Sequence, residues 1–146
     1  MADDFLRNLV GSWELVEAHV ITFDGVRTEP WGPAPTGMFM LTAQGEYSAH
    51  VMRSQRDRFA LEQPTPEEKQ QAYDDYVGYY GKVVGVDDTA RSFTTRVLGA
   101  TNANWIGGDQ VRYVEIRDQD HLVLRSPTLA HAGMSLTASV VWARRK

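Results

Sequence analysis

The chain has no cysteine in its 146 residues. That absence excludes disulfides, thiolate nucleophiles and thiolate metal centres, and it suits a reducing cytoplasm. No apolar run approaches the roughly 20 residues a membrane-spanning helix needs. Basic residues are not in excess, with 15 Lys and Arg against 19 Asp and Glu, so no patch marks a nucleic-acid partner. Met1-Ala2-Asp3-Asp4 is acidic where a secretory leader would be basic, so no leader is expected at this end. Gly107-Gly108 stands alone in a turn and cradles no phosphate, and no Gly-x-Ser-x-Gly elbow occurs. His19, His50, His121 and His131 show no short ligand spacing on one element, so neither a metal nor a cofactor is expected. The remainder is ordinary for one globular domain over 1–146, with 42% hydrophobic and 23% charged residues.

The pattern along the chain is mostly short strands. Phe5, Leu6, Leu9 and Val10 fall at helical spacing, and Gly11 ends that segment. Trp13 to Thr22 reads as a strand, and Phe23-Asp24-Gly25 as a turn. Pro30, Pro33 and Pro35 forbid a central strand between Glu29 and Gly37, which predicts a loop over a barrel mouth. Strands follow at Gly37 to Thr42 and Glu46 to Arg53, joined by a turn at Ala43-Gln44-Gly45. Ser54 to Gln63 reads as a loop. Thr65-Pro66-Glu67-Glu68 combines an N-cap, a Pro at the first position and a capping-box Glu, so a helix should run from there to about Asp75 or Tyr76. Further strands are expected at Val77 to Val86, Ser92 to Leu98, Gln110 to Arg117, His121 to Arg125 and Ser135 to Arg144. Their turns fall at Asp87-Asp88-Thr89, Asp118-Gln119-Asp120 and Ala132-Gly133. Many short strands at regular spacing argue for an antiparallel barrel that closes its own edges.

Gly11-Ser12-Trp13, entered from a short helix and opening a strand, resembles the start of a lipocalin-type barrel. The matching stretches extend along nearly the whole chain in the right order. They include Leu9 to Val16, Trp31 to Gly37, Gly45 to Arg53, Tyr79-Tyr80-Gly81, Asn104 to Gly107, Gln110-Val111-Arg112 and Leu122 to Pro127. Together they resemble the lipocalin-like domain family of small bacterial and fungal proteins within the calycins. The resemblance implies an all-β, up-and-down antiparallel barrel of about eight main strands, with a short N-terminal helix and one additional short helix. It also implies that Trp13 plugs the closed end under an Arg of the last strand, for which Trp142-Ala143-Arg144-Arg145 supplies two candidates. The chain departs from the family in having Thr95 and Arg96 where a His-His pair is common, and His50 where Gln is common. Val83-Val84-Gly85 is one residue longer than usual, which suggests a bulge.

Strand alternation then orders the candidate site residues. With Trp13 inward, Leu15, Glu17, His19 and Ile21 share its face. Glu17 and His19 form a candidate acid/base pair. The alternative is that both are wet at the strand's far end. On Glu46 to Arg53, Ser48, His50 and Met52 make a semi-polar stripe suited to lining a ligand, and Tyr47, Ala49, Val51 and Arg53 a packed face. Met38 and Met40 suit an adaptable wall. Tyr80 is the favoured ring of the cluster with Tyr73, Tyr76 and Tyr79. Arg96 and Arg112 sit mid-strand, where an inward Arg112 would hold a carboxylate or enolate oxygen or else pair with Glu17. Trp105 lies on a loop and would rim the mouth.

The expected function is binding of a small hydrophobic metabolite in the barrel. The alternative is a cofactor-independent isomerase or cyclase for a polyketide- or terpenoid-like intermediate in the same cavity, with Glu17, His19, His50 and Tyr80 as catalytic candidates. A structural domain with a filled core is the third reading. Leu15, Met38, Met40, Met52, Arg96, Trp105 and Arg112 are the candidate ligand contacts. The expected partner is a small hydrophobic ligand or substrate, with no nucleic acid and no membrane, and a homodimer is left open.

Overall fold

The eight main strands find partners on both edges because the barrel closes on itself. The computed structural model describes residues 3–131 and 134–146. Helix α1 (Asp3–Arg7) leads into β1 (Gly11–Thr22), then β2 (Arg27–Thr28), β3 (Thr36–Leu41) and β4 (Glu46–Met52). Helix α2 (Pro66–Asp74) precedes β5 (Tyr76–Asp87) and β6 (Ser92–Ala100). A 3₁₀ turn (Ala103–Trp105) leads to β7 (Asp109–Asp118), β8 (His121–Arg125), β9 (Leu129–His131) and β10 (Met134–Arg144). All pairings are antiparallel, in the order β1-β3-β4-β5-β6-β7-β8-β10, and β10 pairs back onto β1 to close the ring. The short β2 and β9 flank β1 and β10. The expected turn at Ala132-Gly133 lies outside the described residues.

Up-and-down order sends the hairpin turns at 42–45, 88–91 and 118–120 to one end, with α1 and the C-terminus. The longer loops at 23–35, 53–65 and 101–108 go to the other. The first end is closed. Trp13 is buried there, and its indole N–H donates to Leu9 O at 2.9 Å, which ties β1 to the end of the N-terminal segment. Phe39 stacks on Trp13 with ring centroids 5.5 Å apart, and the Arg144 guanidinium lies 4.2 Å over the same ring. Of the two candidate arginines it is Arg144 that covers the plug. Arg145 instead reaches toward Glu14 on the outside.

Two local expectations hold in detail. Thr65 caps α2, accepting from Glu68 N at 3.1 Å while Glu68 Oε1 accepts from Thr65 N at 2.8 Å. The Thr65 N–H, and after it the Ala60 N–H, hold the Glu68 carboxyl below the ordinary glutamate range. A register shift falls at Val83/Gly85, where the extra residue suggested a bulge. Three further shifts, at Leu15/Glu17, Tyr80/Gly81 and Ile116/Asp118, were not foreseen. The first of these changes the reading of the site.

Candidate ligand-binding site

Trp13 and Phe39 are buried at the closed end, and the barrel is hollow above them. A cavity of about 510 Å³ opens from the level of Tyr47 and Trp142 toward the mouth, where Trp31 and Trp105 stand. This lies within the usual range for small-molecule sites. Its walls are mostly apolar, with Val51, Val77, Leu124, Leu136 and Val140 among them. Trp105 is positioned by the 3₁₀ turn, which Asn102 caps through its side chain, and it meets Tyr79 edge-on at 5.7 Å.

A latch at the mouth holds the proline-rich loop in place. Arg53, just past β4, bonds Asp75 Oδ1 at 3.0 Å and donates to Pro30 O at 2.8 Å. Asp75 is the C-cap of α2 and is itself buried. One guanidinium therefore joins the loop, the helix end and the strand end. Gly32, at φ +83°, lets the loop pass close to it, since a Cβ there would sit 3.0 Å from Arg53 Nη1.

Two of the expected ligand contacts, Trp105 and Arg112, line the cavity. The inward placement of the others needs correction. Trp13 pairs with Phe39, and Phe39 with Ala49. Residues opposite one another share a face, so an inward Trp13 puts Phe39, Tyr47, Ala49 and Val51 inside. Met38, Met40, His50 and Met52 therefore face outward, around a depression of about 410 Å³ on the barrel's outer surface. On β1 the irregularity at Leu15/Glu17 moves the inward face from odd to even positions. Leu15 stays buried in the core, while Ala18 takes the inward place opposite Val140. Glu17 and His19 are thereby turned outside. Glu17 accepts from Arg27 Nη2 at 2.6 Å, and His19 Nδ1 lies 3.1 Å from Glu17 Oε1. They do come together, but away from the cavity. Tyr80 is 55% exposed because its neighbour Tyr79 takes the inward position. Arg96 is outside and paired with Asp109.

On the outer face, His50 is bonded at both ring nitrogens. Ser48 Oγ lies 2.9 Å from Nε2, and Tyr76 OH 2.7 Å from Nδ1. Partial burial lowers the imidazole below its ordinary value, which favours the neutral ring.

The electrostatics inside the cavity are one-sided. Among the described lining residues there is neither carboxylate nor imidazole. Arg112 is half-buried and donates to Val111 O at 2.7 Å and to Gln110 Oε1 at 3.1 Å. Its Cζ stands 5.7 Å from the Tyr79 ring centroid. Burial pushes the Tyr47 phenol well above its ordinary value, and the neighbouring Tyr79 adds to this against the opposing charge of Arg112. The Tyr79 hydroxyl and Trp142 Nε1 are buried without a hydrogen-bond partner. Tyr47 and Trp142 are not among the sequence candidates, and of the tyrosine cluster it is Tyr79, not the favoured Tyr80, that lines the cavity. The signal that would have found them is the pairing of an inward Trp13 with Phe39, which fixes the alternation on β3 and β4.

A closed barrel, plugged at one end and hollow at the other, defines a cup-shaped β-barrel protein. More particularly, the chain belongs to the lipocalin-like domain family, whose family model matches residues 10–145. Among solved structures it is similar to a redesigned β-barrel at 10% identity, with 96% of this chain and 94% of that chain covered and a TM-score of 0.46. A de novo designed fluorescence-activating β-barrel matches at 11% identity, with 95% of each chain covered and a TM-score of 0.45. No match is found among curated proteins.

Proposed function

We propose that this protein binds a small, mostly apolar molecule inside the barrel, entering between Trp31 and Trp105. The observation that carries this is the cavity of about 510 Å³, walled by aliphatic and aromatic side chains with a few polar atoms. A barrel of this family built only for structure would fill that space, because voids of this size cost packing energy. Turnover by an isomerase or cyclase would draw on a base within the cup. The acid/base candidates Glu17, His19, His50 and Tyr80 lie outside it, which favours binding without turnover.

The test is titration with a neutral fluorescent probe, 1-aminoanthracene, at one site per chain. Ala138 lines the cavity, and Ala138→Trp should fill it and abolish binding in a protein that remains folded. Met40→Trp, on the outer face, should leave affinity unchanged. A wild-type protein that gives no saturable binding, or an Ala138→Trp variant that binds as well as wild type, would overturn the reading.

A further inference from the structure

We infer that the ligand is an acid: an apolar body carrying one carboxylate, with the carboxylate held by Arg112. The inference rests on the binding function proposed above and names its ligand class.

The first ground is the state of Arg112. Other arginines of the barrel meet carboxylates: Arg27 on Glu17, Arg53 on Asp75, Arg96 on Asp109 and Arg125 on Glu115. Arg112 has no carboxylate partner among the described residues. A guanidinium offers five N–H donors, and the hydrogen bonds above engage one on Nη1 and one on Nη2. A half-buried cation without a counter-charge is costly, and an anion arriving with the ligand removes that cost.

The second ground is the charge of the lining. Arg112 is the one charged side chain among the described residues that line the cavity, and its guanidinium lies beside the Tyr79 ring. Trp142 Nε1 and the Tyr79 hydroxyl are closed off within the wall, so Arg112 is the strong donor the cavity presents.

The third ground is what surrounds it. The described lining holds no acidic side chain, so nothing there repels an anion or attracts an amine. Apart from Gln110 and Ser126 the rest of the wall is aliphatic or aromatic, which requires an apolar body. The planar, forked guanidinium matches the planar carboxylate.

The experiment compares three probes of one chain length, decanoate, decan-1-ol and methyl decanoate, as competitors of 1-aminoanthracene at pH 7. Wild-type protein should prefer decanoate over both neutral analogues by about tenfold to a hundredfold, the range of a charge-assisted hydrogen bond. In Arg112→Met this preference should fall to near one. In Arg96→Met, which removes an equal charge from the outside, it should persist. Should Arg112→Met fail to fold, Arg112→Lys is measured instead: the preference should shrink several-fold with loss of the fork. Equal affinity for the three probes in wild type, or a preference that survives the Arg112 substitution, overturns the inference while leaving the binding function intact. Absence of any dye or probe binding in wild type overturns the binding function itself.

Discussion

The two ends of the barrel each place an arginine against an aromatic ring, and they use it differently. At the closed end, Arg144 covers Trp13 and donates to Val10 O at 3.2 Å and Asn8 O at 2.6 Å. Trp13 is itself bonded and stacked. The indole N–H and the guanidinium there both have partners from the chain. In the hollow half, Arg112 lies beside Tyr79, and no carboxylate among the described residues meets it. The same chemical pair is structural where the protein completes it and receptive where it does not. Stability should therefore reside at the plug, and ligand recognition in the cavity.

The largest expected effect is at the plug. Trp13→Ala should cost on the order of 3–5 kcal/mol by opening a cavity among Phe39, Arg144 and Leu9. Denaturant titration measures this, and near wild-type stability would remove the plug from the account. The sharper comparison is between the two arginines. Arg144→Met loses two charge-assisted bonds to carbonyls and should destabilise by roughly 1–3 kcal/mol. Arg112→Met should leave the ligand-free protein within about 0.5 kcal/mol of wild type, or more stable, because it removes a charge that the protein does not neutralise. Equal losses at the two positions would dissolve the distinction between the ends.

The smallest effect concerns pH. The His50 imidazole titrates below its ordinary value of 6.5 in the folded protein because burial disfavours its charged form. As pH falls, the unfolded chain takes up that proton first, so unfolding is favoured. The stabilising contribution of neutral His50 is complete above about pH 6.5 and is lost as pH falls from there through the folded value. Thermal melts from pH 7.5 to 5 should show a decline that His50→Gln reduces. An identical decline in the variant would assign it to other groups.

Much of the fold is legible because it is written locally. The capping box at Thr65 and Glu68 involves residues three apart, and the prolines at 30, 33 and 35 act on their own backbone. The closed end was legible as well, through a Trp at one terminus and an Arg at the other. The cavity was not. Its lining depends on which face of each strand turns inward, and alternation passes a single error along the whole strand. Both faces of β1 are rich in apolar residues, and β3 carries methionines on one face and Phe39 on the other. Hydrophobicity alone could not choose between those faces.

What the sequence by itself determined is the eight main strands, their antiparallel order and the two helices, because propensity, capping and turn chemistry act over a few residues, and the family resemblance added Trp13 as the plug. What only the tertiary structure decided is which side chains meet in the cavity. One shift in pairing between β1 and β10, at Leu15/Glu17, turned Glu17 and His19 out of the barrel. The pairing of Trp13 with Phe39 turned His50 and the methionines out with them and brought Tyr47 and Tyr79 in. Such pairings are set by the closure of the whole ring, and no short window of sequence contains that constraint.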